Sequence, residues 1–150
     1  MNDGQALRPS LTVVTLGVRD VPESGRFYER LGFERRVRAT GDEIVFLQAG
    51  GVIIALWDRD KLAADAVLAA DPSPQPSARM TLAWNCDSPQ TVDAAFAGAM
   101  AAGATRLRDP GPTDYGGYRG YFSDPDGHVW EVVQAPGFTL TDDGRLILPP

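Results

Sequence analysis

The chain is nearly empty of the residues from which thiolate and imidazole sites are built: one cysteine, Cys86, and one histidine, His128, in 150 residues. One cysteine cannot close an internal disulfide, and its use fits a reducing, cytoplasmic setting. One histidine excludes any site that needs two imidazoles. No stretch approaches the roughly 20 consecutive apolar residues that span a bilayer, so no membrane partner is expected. The opening M-N-D-G-Q-A-L-R-P-S lacks a basic segment followed by an apolar one, so no signal peptide is expected. Basic residues are scarce too, 14 against 20 acidic, for a formal net charge of −6. A nucleic-acid binder would carry a basic stripe, so no nucleic-acid partner is expected. The one basic cluster, Arg35, Arg36 and Arg38, reads as a solvated strand face.

What is present suits one domain. Hydrophobic residues at 43% suffice for a packed core, and 16 glycines and 12 prolines imply many turns between short strands. L-T-V-V-T-L-G-V at 11–18 reads as a buried strand. Asp20 and Pro22 mark a helix start; Phe27, Tyr28 and Leu31 form its apolar stripe, and Gly32 ends it. Strands are expected at 33–39, 43–48 and 51–57, with Gly50-Gly51 as a hairpin turn. A short helix follows within 58–70. D-P-S-P-Q-P-S at 71–77 can be the interior of neither helix nor strand, and reads as a linker.

The order then repeats. A strand is expected at 80–86, and a helix capped by Asp87 or Ser88 and stopped by Gly103. Strands are expected again at 104–108, 118–123 and 128–134. The tail should form a small hairpin turned at Asp143-Gly144. The expectation is therefore a single α+β domain over 1–150, made of two βαβββ modules at about 11–58 and 79–135. The linker at 71–77 joins them and a hairpin tail at 136–150 follows.

The paired modules, V-T-L-G-V-R-D-V-P-E-S-G-R-F-Y-E-R-L-G-F at 14–33, and S-D-P-D-G-H-V-W-E-V at 123–132, in that order, resemble the vicinal oxygen chelate superfamily. This group includes glyoxalase I, bleomycin-resistance proteins and extradiol dioxygenases. The resemblance implies sheets curled into an open cup with flanking helices, a small-molecule ligand or substrate, and a homodimer. It also implies four metal-ligand positions, and these fall on Val13, Ala55, Thr81 and Glu131. Only Glu131 keeps a ligand, so no metal and no cofactor is expected.

Strand alternation predicts what shares the cup with Glu131. Val13, Thr15 and Gly17 come from the first strand, and Ile53, Ala55 and Trp57 from the fourth. Thr81, Ala83 and Asn85 follow from the second module, with Val129 and Val133 beside the glutamate. Tyr115, Tyr118 and Tyr121 are placed at the mouth. The candidate ligand-binding set is Thr15, Trp57, Thr81, Asn85, Tyr115, Tyr118, Tyr121 and Glu131. Alternation turns His128 away from Glu131, and it reads as a turn-exit residue that bonds the D-P-D-G turn or meets solvent. Trp84, Cys86 and Trp130 read as core.

A carboxylate facing an apolar cup is costly to desolvate unless a partner compensates, which makes Glu131 a candidate general base. The expected function is binding of a small, partly apolar or aromatic molecule in a cup without metal. The alternatives are a metal-independent isomerase or lyase using Glu131, a metal-dependent glyoxalase or dioxygenase, and an interaction module with a vestigial cup.

Overall fold

β1 (Val13–Val18) alternates, with Leu16 and Val18 fully buried and Val13 and Thr15 exposed. Asp20 ends it and caps α1 (Val21–Arg30), accepting the Glu23 N–H at 2.9 Å, and Pro22 sits in the first turn where its missing N–H costs nothing. α1 buries Val21, Phe27 and Tyr28, each side chain contributing about 1.5–3 kcal/mol. β2 (Glu34–Arg36), β3 (Ile44–Ala49) and β4 (Val52–Asp58) complete the first module, and α2 (Arg59–Asp65) follows, capped by Asp58. The second module is β5 (Thr81–Asn85), α3 (Pro89–Ala102), β6 (Thr105–Pro112), β7 (Tyr118–Ser123) and β8 (Val129–Gln134). β9 (Thr139–Leu140) and β10 (Leu146–Ile147) form a separate hairpin. This computed structural model describes residues 11–69, 71, 73, 75, 76 and 80–150. Pro72, Pro74 and Ser77 of the expected linker lie outside that set.

The architecture is mixed α+β with two curled, open four-stranded sheets. Their orders are β1-β4-β3-β2 and β5-β8-β7-β6. In each, the first strand runs parallel to the last and the others are antiparallel, the signature of a repeated βαβββ unit.

The helix-bearing sides of both sheets feed one shared core. Leu16, Leu56 and Tyr28 of the first module belong to the same buried cluster as Phe122, Trp130 and Val132 of the second. Phe33 packs between modules, its ring centroid 5.6 Å from Trp84 and 5.7 Å from Trp130. Polar ties reinforce the junction. Arg30 donates to the Ala102 carbonyl at the end of α3 (3.1 Å), and the Tyr28 hydroxyl donates to the buried Asp124 carboxylate (2.6 Å). The hairpin closes against the β3–β4 turn so tightly that a Cβ on Gly50 would lie 2.9 Å from the Gly144 carbonyl oxygen.

Three local expectations are corrected. The strand expected at 33–39 is only three residues long, because Val37 takes a left-handed conformation (φ 53°) and opens a single 3-10 turn at Arg38–Thr40. The sixth strand continues past 108 to Pro112 by absorbing two register shifts against β7. Arg35 is not a solvated strand residue. Its side chain is 12% exposed, and its guanidinium donates to the Gly41 carbonyl (2.6 Å) and to Asp42.

Candidate functional site

Ladder register sorts the cup-side residues into rows. In the second module Ala83, Glu131, Tyr121 and Arg108 stand side by side across all four strands. The next row toward the end of β5 is Asn85, Val133, Arg119 and Gly111, and the row on the other side is Thr81, Val129, Ser123 and Thr105. In the first module the matching rows are Thr15, Ala55, Phe46 and Arg36, then Gly17, Trp57 and Ile44, then Val13, Ile53, Gln48 and Glu34. Neighbouring strands lie about 4.8 Å apart, so the Glu131 and Tyr121 side chains stand within mutual reach.

Thr15, Trp57, Thr81, Asn85, Tyr121 and Glu131 therefore occupy the faces that alternation assigns to them. They do not meet within one chain. Both faces lie on the sides of their sheets away from the shared core, and both are open: Val13 is 42% exposed, and Thr15, Thr81 and Ala83 are exposed as well. Tyr118 is a correction. It shares parity with the buried Phe122, so it turns to the helix side and donates to Asp93 of α3 at 2.9 Å. Tyr115 sits in the β6–β7 turn, 58% exposed, with its ring packed over Gly117, where a Cβ would come within 2.6 Å of the ring.

The electrostatics of the second-module face centre on Tyr121. Partial burial pushes its phenol pKa up, and the Glu131 charge pushes it further; the Arg119 guanidinium pulls the other way without reversing the shift. Tyr121 thus keeps its proton at neutral pH and is a donor beside a carboxylate. The Arg119 guanidinium lies 5.9 Å from the centre of the Tyr121 ring, in cation–π range. On the first-module face the Trp57 indole N–H is buried with no acceptor among the described residues. Such orphan donors are uncommon in folded proteins.

Arg119, Arg108 and Ser123 were missed by the sequence reading. Arg119 and Ser123 were legible, being two residues either side of Tyr121. Arg108 was not, because a bulge between Arg106 and Arg108 resets the parity of β6.

The positions that the resemblance gives to metal ligands hold hydrocarbon at Val13 and Ala55, a hydroxyl at Thr81 and one carboxylate at Glu131. A catalytic divalent ion takes about three nitrogen, oxygen or sulfur ligands from the protein, and this set does not supply them. Among the described residues there is no group of three or more His, Cys, Asp or Glu side chains arranged to hold a metal ion. His128 is committed elsewhere. Its Nδ1 lies 2.8 Å from the Asp124 carboxylate, as expected for a residue that ties down the D-P-D-G turn.

A second concavity lies between the modules on the core side. It is a cleft of about 590 Å³ walled by Val14, Phe33, Ile54, Leu82, Trp84 and Trp130 and flanked by the C-terminal hairpin. Of the residues expected in the cup, Ala83 and Asn85 line it.

The comparisons with known proteins agree with this geometry. A family model described as Glyoxalase/Bleomycin resistance protein/Dioxygenase superfamily matches residues 10–132. A glyoxalase-related enzyme from Fulvimarina pelagi is 34% identical with a TM-score of 0.83, covering 94% of this chain and 99% of its own. A glyoxalase/bleomycin resistance protein/dioxygenase family enzyme from Burkholderia phytofirmans PsJN is 24% identical with a TM-score of 0.74, over 85% of this chain and 99% of its own. A lactoylglutathione lyase from Agrobacterium tumefaciens shares the fold at 20% identity and a TM-score of 0.65, over 85% and 95%. No curated protein matches.

Proposed function

Because the chain belongs to the glyoxalase/bleomycin resistance protein/dioxygenase superfamily, we propose that it binds a small, partly apolar or aromatic molecule against its cup faces, and that a second copy of the chain completes the cup. One observation carries the reading: each chain offers two unlike half-cup faces that are partly open to solvent, at Val13 and Thr15 on one and at Thr81 and Ala83 on the other. The first-module half is apolar, with Ile53, Ala55, Phe46 and Trp57. The second-module half is polar, with Glu131, Tyr121 and Asn85. One apolar wall and one wall with a few convergent polar groups is the usual composition of a small-molecule pocket. A homodimer that apposes unlike halves closes two equivalent cups. Thr15, Thr81 and Asn85 are the remaining contacts, and Tyr115 is a rim contact. We place the protein in the cytoplasm on its cysteine usage. Among the described residues no helix is long and apolar enough to cross a membrane.

The test is a nuclear magnetic resonance screen of apolar and aromatic small molecules against the isotope-labelled full chain, with its mass followed by sedimentation. The expected result is a dimer, with ligand-induced shifts at Thr15, Trp57, Thr81, Tyr121 and Glu131 together. Shifts confined to Phe33, Trp84 and Trp130 would relocate the site to the inter-module cleft and overturn the reading. A ligand-competent monomer would overturn the shared cup.

A second reading is favoured by the Glu131–Tyr121 pair, which sets a proton acceptor directly across from a phenol that keeps its proton. That arrangement suits a metal-independent isomerase or lyase in which Glu131 takes a proton beside a substrate carbonyl and Tyr121 donates toward the developing oxyanion. Once a substrate is found, Glu131→Gln should lower kcat by about 10²–10⁴-fold. Turnover unchanged by that substitution would remove the base role and leave the binding reading standing.

A further inference from the structure

We propose that the ligand of the cup is a monoanion, a small carboxylate whose charged group is held by Arg119 and Arg108 on either side of Tyr121. The inference rests on the cup reading above and names its substrate class.

The placement comes from the ladder. Arg108 is the register partner of Tyr121 on one side as Glu131 is on the other, and Arg119 lies two residues along β7 on the same face. The net charge of the chain is negative, and most of its described cations hold a carboxylate. The first-module counterpart of Arg108 is Arg36, and it is neutralised by Glu34 at 3.0 Å. Arg35, Arg38 and Lys61 are paired in the same way. Arg108 and Arg119 are not. Among the described residues neither has a carboxylate within salt-bridge distance, and the Arg119 guanidinium lies over the Tyr121 ring. In an acidic protein, two cations that outnumber the single carboxylate on a candidate ligand face, and that no described carboxylate pairs, make a site short of an anion. Guanidinium groups are the side chains best matched to a planar carboxylate, which accepts two parallel hydrogen bonds.

The sign and size of the charge narrow the class. Two guanidinium groups against the Glu131 carboxylate leave one net positive charge on this part of the face, which a monoanion neutralises. A cationic ligand would meet uncompensated repulsion. The apolar first-module half, with Phe46 and Trp57, would take the rest of the molecule. The class is therefore a carboxylate carrying a small apolar or aromatic body.

The experiment uses the full chain with benzoate, phenylacetate and phenylpyruvate, each against its neutral amide, with phenyl phosphate and benzylamine as the dianionic and cationic arms. The expected order is carboxylate tighter than amide by at least about 10-fold, with phenyl phosphate weaker than the carboxylates and benzylamine not binding. Arg119→Gln should weaken the carboxylate by about 10-fold and leave the amide unchanged, and Arg119→Lys should restore part of the loss. Arg108→Gln tests the second arm in the same way. Thermal unfolding of the variants should match the parent, since both side chains reach solvent. Amides that bind at the cup as well as the carboxylates, or carboxylate binding insensitive to both substitutions, overturn the proposal while the cup survives. Tighter binding of phenyl phosphate overturns the monoanion assignment. If no probe of any charge shifts a cup residue, the cup reading itself falls with it.

Discussion

The link between the two modules is most exposed to test at Tyr28. Asp124 is 2% exposed and its carboxylate accepts four hydrogen bonds: from the Tyr28 hydroxyl (2.6 Å), from His128 Nδ1 (2.8 Å), and from the backbone N–H groups of Asp126 (2.9 Å) and His128 (2.8 Å). The Tyr28 hydroxyl also accepts the Trp130 indole N–H at 3.1 Å. Burial, then the Asp124 charge, pushes the Tyr28 phenol well above its usual range, so it remains a donor to the carboxylate. Tyr28→Phe keeps the ring but removes a charge-assisted bond worth about 1.5–3 kcal/mol, and it orphans a buried indole N–H at about 1–3 kcal/mol. Allowing for relaxation, the loss should be about 3 kcal/mol. For a domain of this size that lowers Tm by about 6–12 °C.

Urea denaturation followed by tryptophan fluorescence reads the loss directly, as a shift in midpoint at unchanged slope. A cycle with Asp124→Asn separates the two contributions. In that background the bond from Tyr28 is no longer charge-assisted, so Tyr28→Phe should cost about 1 kcal/mol less. A loss below about 1 kcal/mol for the single variant, or full additivity in the cycle, would refute the claim that this buried carboxylate clamps the modules together.

Two further predictions concern titration. Burial pulls the His128 pKa down, but the hydrogen bond and charge of Asp124, helped by Asp126, outweigh it and leave the pKa raised. The stability this contributes is fully present below the unfolded-state value of about 6.5 and is lost as pH rises through the folded value. Denaturation midpoints should therefore fall as pH rises above about 6.5 in the parent and flatten in His128→Gln; equal slopes would refute the coupling. The Cys86 thiol is pushed up to about 11, by burial first and the Asp87 charge second. It should resist Ellman's reagent in the native protein at pH 8 and react with one equivalent in urea, and native labelling at a free-cysteine rate would contradict its burial.

Much of the fold was legible because its signals are local. The alternation of V-V-T-L-G-V separates Leu16 and Val18 from Thr15 without reference to the rest of the chain. Asp20-x-Pro22 and Ser88-Pro89 announce helix starts through bonds that span three residues. The same alternation put Glu131 on the cup face and Trp130 in the core, where they lie. The failures have physical causes too. Tyr118 was grouped with Tyr115 and Tyr121 for being near them in sequence, although its parity follows Gly120 and Phe122. Val37 breaks a strand through a backbone conformation that its β-branched side chain disfavours. The junction between modules rests on pairs such as Tyr28 and Asp124, 96 residues apart, for which no periodicity speaks.

Placing the rows of the two modules against each other shows where the chemistry went. Thr15, Ala55, Phe46 and Arg36 correspond to Ala83, Glu131, Tyr121 and Arg108. The arginines persist at the outer strand, the aromatics persist beside them with Tyr121 gaining a hydroxyl, Thr15 gives way to Ala83, and a carboxylate appears where Ala55 stands, at Glu131. The flanking row moves the same way, from Ile44 and Gly17 to Arg119 and Asn85. The two half-cups thus differ: the first offers a mostly apolar surface with its arginine already paired, and the second offers a carboxylate, a phenol and two guanidinium groups that no described carboxylate pairs. A mostly apolar half gives a ligand little orientation, and a polar half open to water gives its hydrogen bonds little net worth. On the proposed reading, pairing the unlike halves of two chains is the arrangement in which each supplies what the other lacks.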